Sequence, residues 1–120
     1  PAQQILVEQV SKNIYRPCCN NSTYFPDCNH GMAMLGLLEI MAAQGASEQE
    51  MYKTALAVNS FWFPGTYEVI AQSFAKDGIA WADVEPKLAL SAQYSSGSGY
   101  AALVAKLNPT TQSGGGSCGV

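Results

Sequence analysis

The sequence predicts an all-α fold: a small bundle of four to five helices with a cysteine-bearing loop and a Gly-rich C-terminal tail. Three observations predict it. Apolar residues recur at three- and four-residue spacing through successive segments, the period of a helix with one buried face. One segment opens on a capping box, Ser47-Glu48-Gln49-Glu50, in which hydroxyl and carboxylate satisfy each other's backbone amides. Breakers stand where these segments end, at Pro17, Gly45, Pro64-Gly65, Gly78 and Pro109.

The first helix is expected from about Gln3 to Ile14, with Leu6, Val10 and Ile14 on one face. A polar loop, Asn20-Asn21-Ser22-Thr23, separates it from the second helix, which starts at a cap on Asp27 or Asn29 and runs to Gln44. There Met34, Leu37, Leu38 and Met41 form the core-facing stripe. The remaining faces are also apolar, so this helix is expected at the buried centre of the bundle. The third helix follows the capping box and buries Met51, Ala55, Val58 and Trp62. The fourth opens at Thr66, turns Tyr67, Ile70, Ala71 and Phe74 inward, and stops at Asp77-Gly78. Ile79 to Pro86 reads as an ordered loop or short turn of helix, and 95–99 as a flexible Ser/Gly turn before a short helix from Tyr100 to Leu107. Residues 1–111 form a single helical domain, and 112–120 form a Gly/Ser-rich tail carrying Cys118.

Charge narrows the partners. A net charge of −3 with six scattered Lys and Arg residues argues against nucleic acid, since phosphate neutralisation needs clustered cations. Charged residues make up only 12%, which fits an extracytoplasmic surface or one covered by a protein partner or a second copy. No apolar run reaches the ~20 residues of a membrane span. A start at Pro1 rather than Met adds to the expectation of a processed, exported chain.

Four cysteines, Cys18, Cys19, Cys28 and Cys118, first suggest two disulfides. A Cys18–Cys19 bridge would be a strained eight-membered ring, so the expected pairings join one of them to Cys28 and the other to Cys118. A bridge to Cys118 stabilises the fold by about 4–5 kcal/mol on the chain-entropy account. The alternative is a metal site. Cys18, Cys19, Cys28 and His30 offer three thiolates and an imidazole, a donor set for copper (Cu⁺) or zinc (Zn²⁺), with Met32 and Met34 as neighbouring thioethers. A third reading is redox work, with Cys28 as a reactive thiol at a helix N-terminus. His30 is the only histidine, no Gly-x-Ser-x-Gly elbow occurs, and no catalytic residue is assigned. Glu39 is expected on the solvated stripe of its helix, and Phe61, Trp62, Phe63, Tyr67 and Trp81 in core packing. Asn20 and Asn21 each head a glycosylation sequon.

The order Pro17-Cys18-Cys19, then Asp27-Cys28, His30-Gly31 and an apolar helix ending in Gln44-Gly45-Ala46-Ser47-Glu48-Gln49-Glu50-Met51 resembles the exported bacterial proteins named for a Pro-Cys-Tyr-Cys-Gly-Cys motif. The resemblance spans about Pro17 to Tyr52, and this chain has fewer cysteines, with no Tyr or Gly between them. It implies an extracytoplasmic domain, often lipid-anchored, with a Cys/His cluster that binds metal. The leading expectation is therefore a non-catalytic, disulfide-stapled accessory or interaction module needing no cofactor.

Overall fold

A computed structural model of the chain describes residues 2–25 and 28–107. Among them are seven α-helices and no strand: α1 (Ala2–Ser11), α2 (Asn29–Ala43), α3 (Glu48–Trp62), α4 (Pro64–Lys76), α5 (Pro86–Ala89), α6 (Ala92–Ser95) and α7 (Gly97–Leu107), with a 3-10 turn at Trp81–Asp83. The all-α bundle is as the sequence predicts. Its helices are more numerous because the segment after α4 breaks into short pieces.

Helix α1 ends earlier than its apolar period suggests. Asn13 and Ile14 tighten into three-residue bonds to Val10 and Ser11 carbonyls. The chain then extends and is pinned on both sides, with Tyr15 N–H donating to Leu90 O at 2.9 Å and Thr23 N–H to Ile14 O at 2.8 Å. Ile14 stays fully buried although it has left the helix, so tertiary packing, not helical register, places it in the core.

Helix α2 packs mainly along α1. Met34, Leu38 and Ala42, at four-residue spacing, are buried, while Leu37 and Met41 border the core. The opposite face is open: Met32 is 62% and Ile40 60% exposed. The expectation of a fully buried central helix is thus corrected. Its outer face has no neighbour among the described residues. Glu39 is exposed, as expected of a solvated stripe. Gly45, at φ +83°, ends the helix in the left-handed conformation that a glycine adopts without strain. The Ala46 N–H then reaches back to Met41 O at 3.0 Å.

The capping box of α3 is formed as read. Ser47 N–H donates to Glu50 Oε1 at 2.9 Å, and Glu50 N–H to Ser47 Oγ at 3.2 Å. These bonds hold the Glu50 carboxyl below its usual range. The buried face is Met51, Tyr52, Ala55, Leu56 and Asn59, with Val58 and Trp62 at the core's edge. Pro64 supplies the first turn of α4, where its missing N–H costs nothing, so this helix starts before the expected Thr66. Phe63 and Tyr67 are buried as predicted, but Phe61 is 82% exposed and Trp81 sits at the surface.

The Ser/Gly segment is the second correction. Ser95 and Ser96 are buried, and each hydroxyl donates to a backbone carbonyl, Ser95 to Ala89 and Ser96 to Ala92. Gly99 N–H returns a bond to Ser96 Oγ at 3.0 Å. A β-carbon on Gly99 would run into the Ala92 and Gln93 carbonyls, so only glycine allows α7 to fold back on α6. What composition suggests is a flexible turn is a hydrogen-bonded helix junction. The tail at 112–120, with Cys118, lies outside the described residues.

Candidate metal centre

The loop after α1 is held rigidly. Thr23 Oγ1 donates to Ile14 O at 3.0 Å, and the fully buried Arg16 donates through Nη1 to Thr23 Oγ1 at 3.4 Å. The N-terminus of α7 clamps the loop from outside. Gly97 N–H donates to Cys19 O at 2.7 Å, and Ser98 N–H to Asn20 Oδ1 at 2.8 Å. Asn20 therefore acts as a cap for a helix far away in sequence. That contact gives the sequon asparagine a structural use.

Within this frame the adjacent cysteines part company. Cys18 turns toward the core edge, half-buried. Cys19 turns the other way, where its sulfur accepts from Arg16 Nη2 at 3.1 Å and its thiol faces Asn21 O at 3.9 Å. Opposite Cys18, Cys28 is the N-cap of α2, with extended backbone at φ −148° and ψ 172°. Its sulfur accepts from Gly31 N–H at 3.4 Å. The cap residue is thus Cys28 itself; Asn29 is the first helical residue, and Asp27 lies outside the described residues.

His30 follows in the first turn of α2. Its ring sits 4.9 Å, centroid to centroid, from both Trp62 and Phe63 at the end of α3. Its Nδ1 is buried and meets no hydrogen-bond partner among the described residues. A buried ring nitrogen without a partner is costly unless a ligand completes it.

The donor atoms of Cys18, Cys28 and His30 all lie within 4.8 Å of one another. Thiolates bound at about 2.3 Å around a three-coordinate ion stand about 4 Å apart. With Cys18 reduced to its thiolate, less than about 1 Å of closure would convert this cluster into a coordination sphere. Two sulfurs and an imidazole are donors for soft or borderline cations such as Cu⁺ and Zn²⁺. Of the four ligands considered from sequence, the fold gathers three and leaves Cys19 outside the cluster. Met34 is claimed by the core and Met32 is largely exposed.

No disulfide joins two of the described cysteines; Cys19 and Cys28 carry thiols, whereas Cys18 is disulfide-bonded. Pairings with Cys118 fall outside the described residues. Sequence reasoning missed Arg16, Trp62 and Phe63 as neighbours of this loop. Nothing in a lone basic residue signals complete burial, and the aromatics read equally well as core.

No family model, curated protein or solved structure matches this chain.

Proposed function

We propose that the chain is a helical module which, in its reduced form, holds one soft metal ion, Cu⁺ or Zn²⁺, between Cys18, Cys28 and His30. The observation that carries this reading is the mutual approach of their donor atoms within 4.8 Å. The buried Nδ1 of His30, without a hydrogen-bond partner among the described residues, supports it independently. The ion would supply folding energy by tying the loop to α2 and, through the ring contacts of His30, to α3. Trp62 and Phe63 hold the imidazole plane, and Gly31 N–H orients the Cys28 sulfur.

Metal titration of the reduced protein under exclusion of oxygen, followed by elemental analysis after desalting, tests this reading. One equivalent is expected to remain bound. Cys28→Ser and His30→Ala should each weaken binding by at least about tenfold, the scale of losing a ligand or its orientation. Cys19→Ser should leave it unchanged. A reduced protein that retains no metal, or equal losses in all three variants, would overturn the reading.

A second, compatible reading concerns setting. The exposed apolar residues Phe25, Met32 and Ile40 favour an accessory or interaction module that meets another protein or a second copy. The resemblance to exported proteins favours a setting outside the cytoplasm, where bridges involving Cys118 would staple the module. Counting thiols on protein purified without reductant tests the staple: four reactive thiols would remove it. No helix among the described residues is long and apolar enough to cross a membrane.

A further inference from the structure

We infer, resting on the interaction-module reading above, that the partner of this chain is a second copy of itself: the outer faces of two α2 helices pack antiparallel across a two-fold axis at Gly36.

At 100° per residue, Gly36 lies on the side of α2 opposite the buried stripe of Met34, Leu38 and Ala42. Around it the outer face carries Asn29, Met32, Ala33, Ile40 and Ala43, with Met32 62% and Ile40 60% exposed. Two large apolar side chains thus stand four positions to either side of a centre that has none. A two-fold axis through Gly36 sets Met32 of each copy against Ile40 of the other, and Gly36 against Gly36. The patch fits itself, as an isologous interface requires. The space over Gly36 is open, with nothing within 4 Å of a β-carbon built there, so two backbones can approach closely at the axis.

Charge selects the antiparallel order. Helix α2 has no acidic residue in its first turn and no basic residue in its last, so no charged side chain within the helix offsets either end of its dipole. Antiparallel packing sets the positive end of each helix beside the negative end of the other. Glu39, the only Asp, Glu, Lys or Arg in α2, lies at the edge of the face. The axis separates it from its mate by about 9 Å along the helix. A parallel pair would align the two carboxylates and both sets of like ends. With no Lys or Arg to offer an acidic partner and no acidic cluster for a basic one, the face recognises by apolar shape alone. At 15 residues, about 22 Å, one helix pair buries less than the ~1,600 Å² of a standard interface. The dimer is accordingly weak, with a dissociation constant above about 1 μM.

Sedimentation equilibrium of the full chain between about 10 μM and about 1 mM reads this directly, on protein shown by non-reducing electrophoresis to lack intermolecular disulfides. The average mass is expected to climb from 12.7 kDa toward twice that value. Met32→Lys and Ile40→Glu alter exposed positions, so each should keep the parent's helical circular dichroism. Each should weaken self-association at least about tenfold, because it places an unpaired charge in the contact. An equimolar mixture of the two variants should regain the dimer. There the new ammonium of one copy meets the new carboxylate of the other, and the second Met32–Ile40 contact is unchanged. The double variant, which pairs both contacts at unaltered net charge, should dimerise by itself. A mass that stays at 12.7 kDa throughout overturns the second copy and leaves the interaction-module reading standing for a different partner. Self-association indifferent to both substitutions, or losses that mixing does not restore, overturns it as well.

Discussion

Replacing Asn59 by alanine should be among the most damaging single changes in this protein. Asn59 is fully buried on α3, and its Nδ2 donates to Tyr15 O at 2.9 Å and to Tyr67 Oη at 3.0 Å. Tyr67 continues the chain to Ser95 at 2.7 Å, so one amide links the segment before Cys18 to α4 and α6. Asn59→Ala removes two hydrogen bonds worth about 1 kcal/mol each and leaves the Tyr15 carbonyl short of a donor, a further ~1–3 kcal/mol. Against this, Asn59 Oδ1 is buried without a partner among the described residues, and deleting it recovers about 1 kcal/mol. The net loss is about 2–4 kcal/mol. With an m-value of roughly 1.5 kcal/mol/M, the urea midpoint should fall by about 2 M at unchanged slope. Circular dichroism during urea unfolding reads this directly. Asn59→Asp keeps the size but loses the donor and buries a charge, so it should be at least as harmful. A loss under about 1 kcal/mol for the alanine variant, or a stable aspartate variant, would refute the reasoning.

The same network makes a pH prediction. Burial pushes the Tyr67 phenol up to about 12 from an ordinary 10, so the folded state needs it neutral. Its contribution is complete below pH 10 and is lost as pH rises through about 12, amounting to about 3 kcal/mol. Tyr67→Phe should flatten that part of an alkaline denaturation curve; an unchanged curve would contradict it. Gly36→Ala should stabilise the fold by about 0.5–1 kcal/mol in thermal unfolding, because a β-carbon there meets nothing within 4 Å and glycine costs a helix interior. Gly99→Ala should destabilise by about 1–3 kcal/mol, since its β-carbon meets the rigid Ala92 and Gln93 carbonyls. Hydrogen exchange in the Gly99→Ala variant should be faster at Gly97 and Ser98 N–H, the amides that clamp the cysteine loop.

The sequence by itself determined the helical class, the start of α3 and the stop of α2, because caps and breakers act over a few residues of backbone. It also placed a cysteine loop between two helices, with Cys28 at a helix start, where local chain chemistry again suffices. Only the tertiary structure decided which cysteine belongs to the cluster. Cys18 and Cys19 are neighbours in sequence, but Arg16 takes the sulfur of Cys19 while Cys18 faces Cys28 and His30. The outer face of α2 was undecidable for a related reason. An apolar helix records that burial is favourable, not how many neighbours arrive, and here α1 and α3 cover only one side. The Ser/Gly segment misled because Ser95 and Ser96 find carbonyl partners that exist only once α6 and α7 have packed. Local chemistry wrote the helices, and long-range packing chose which of their polar and sulfur atoms meet.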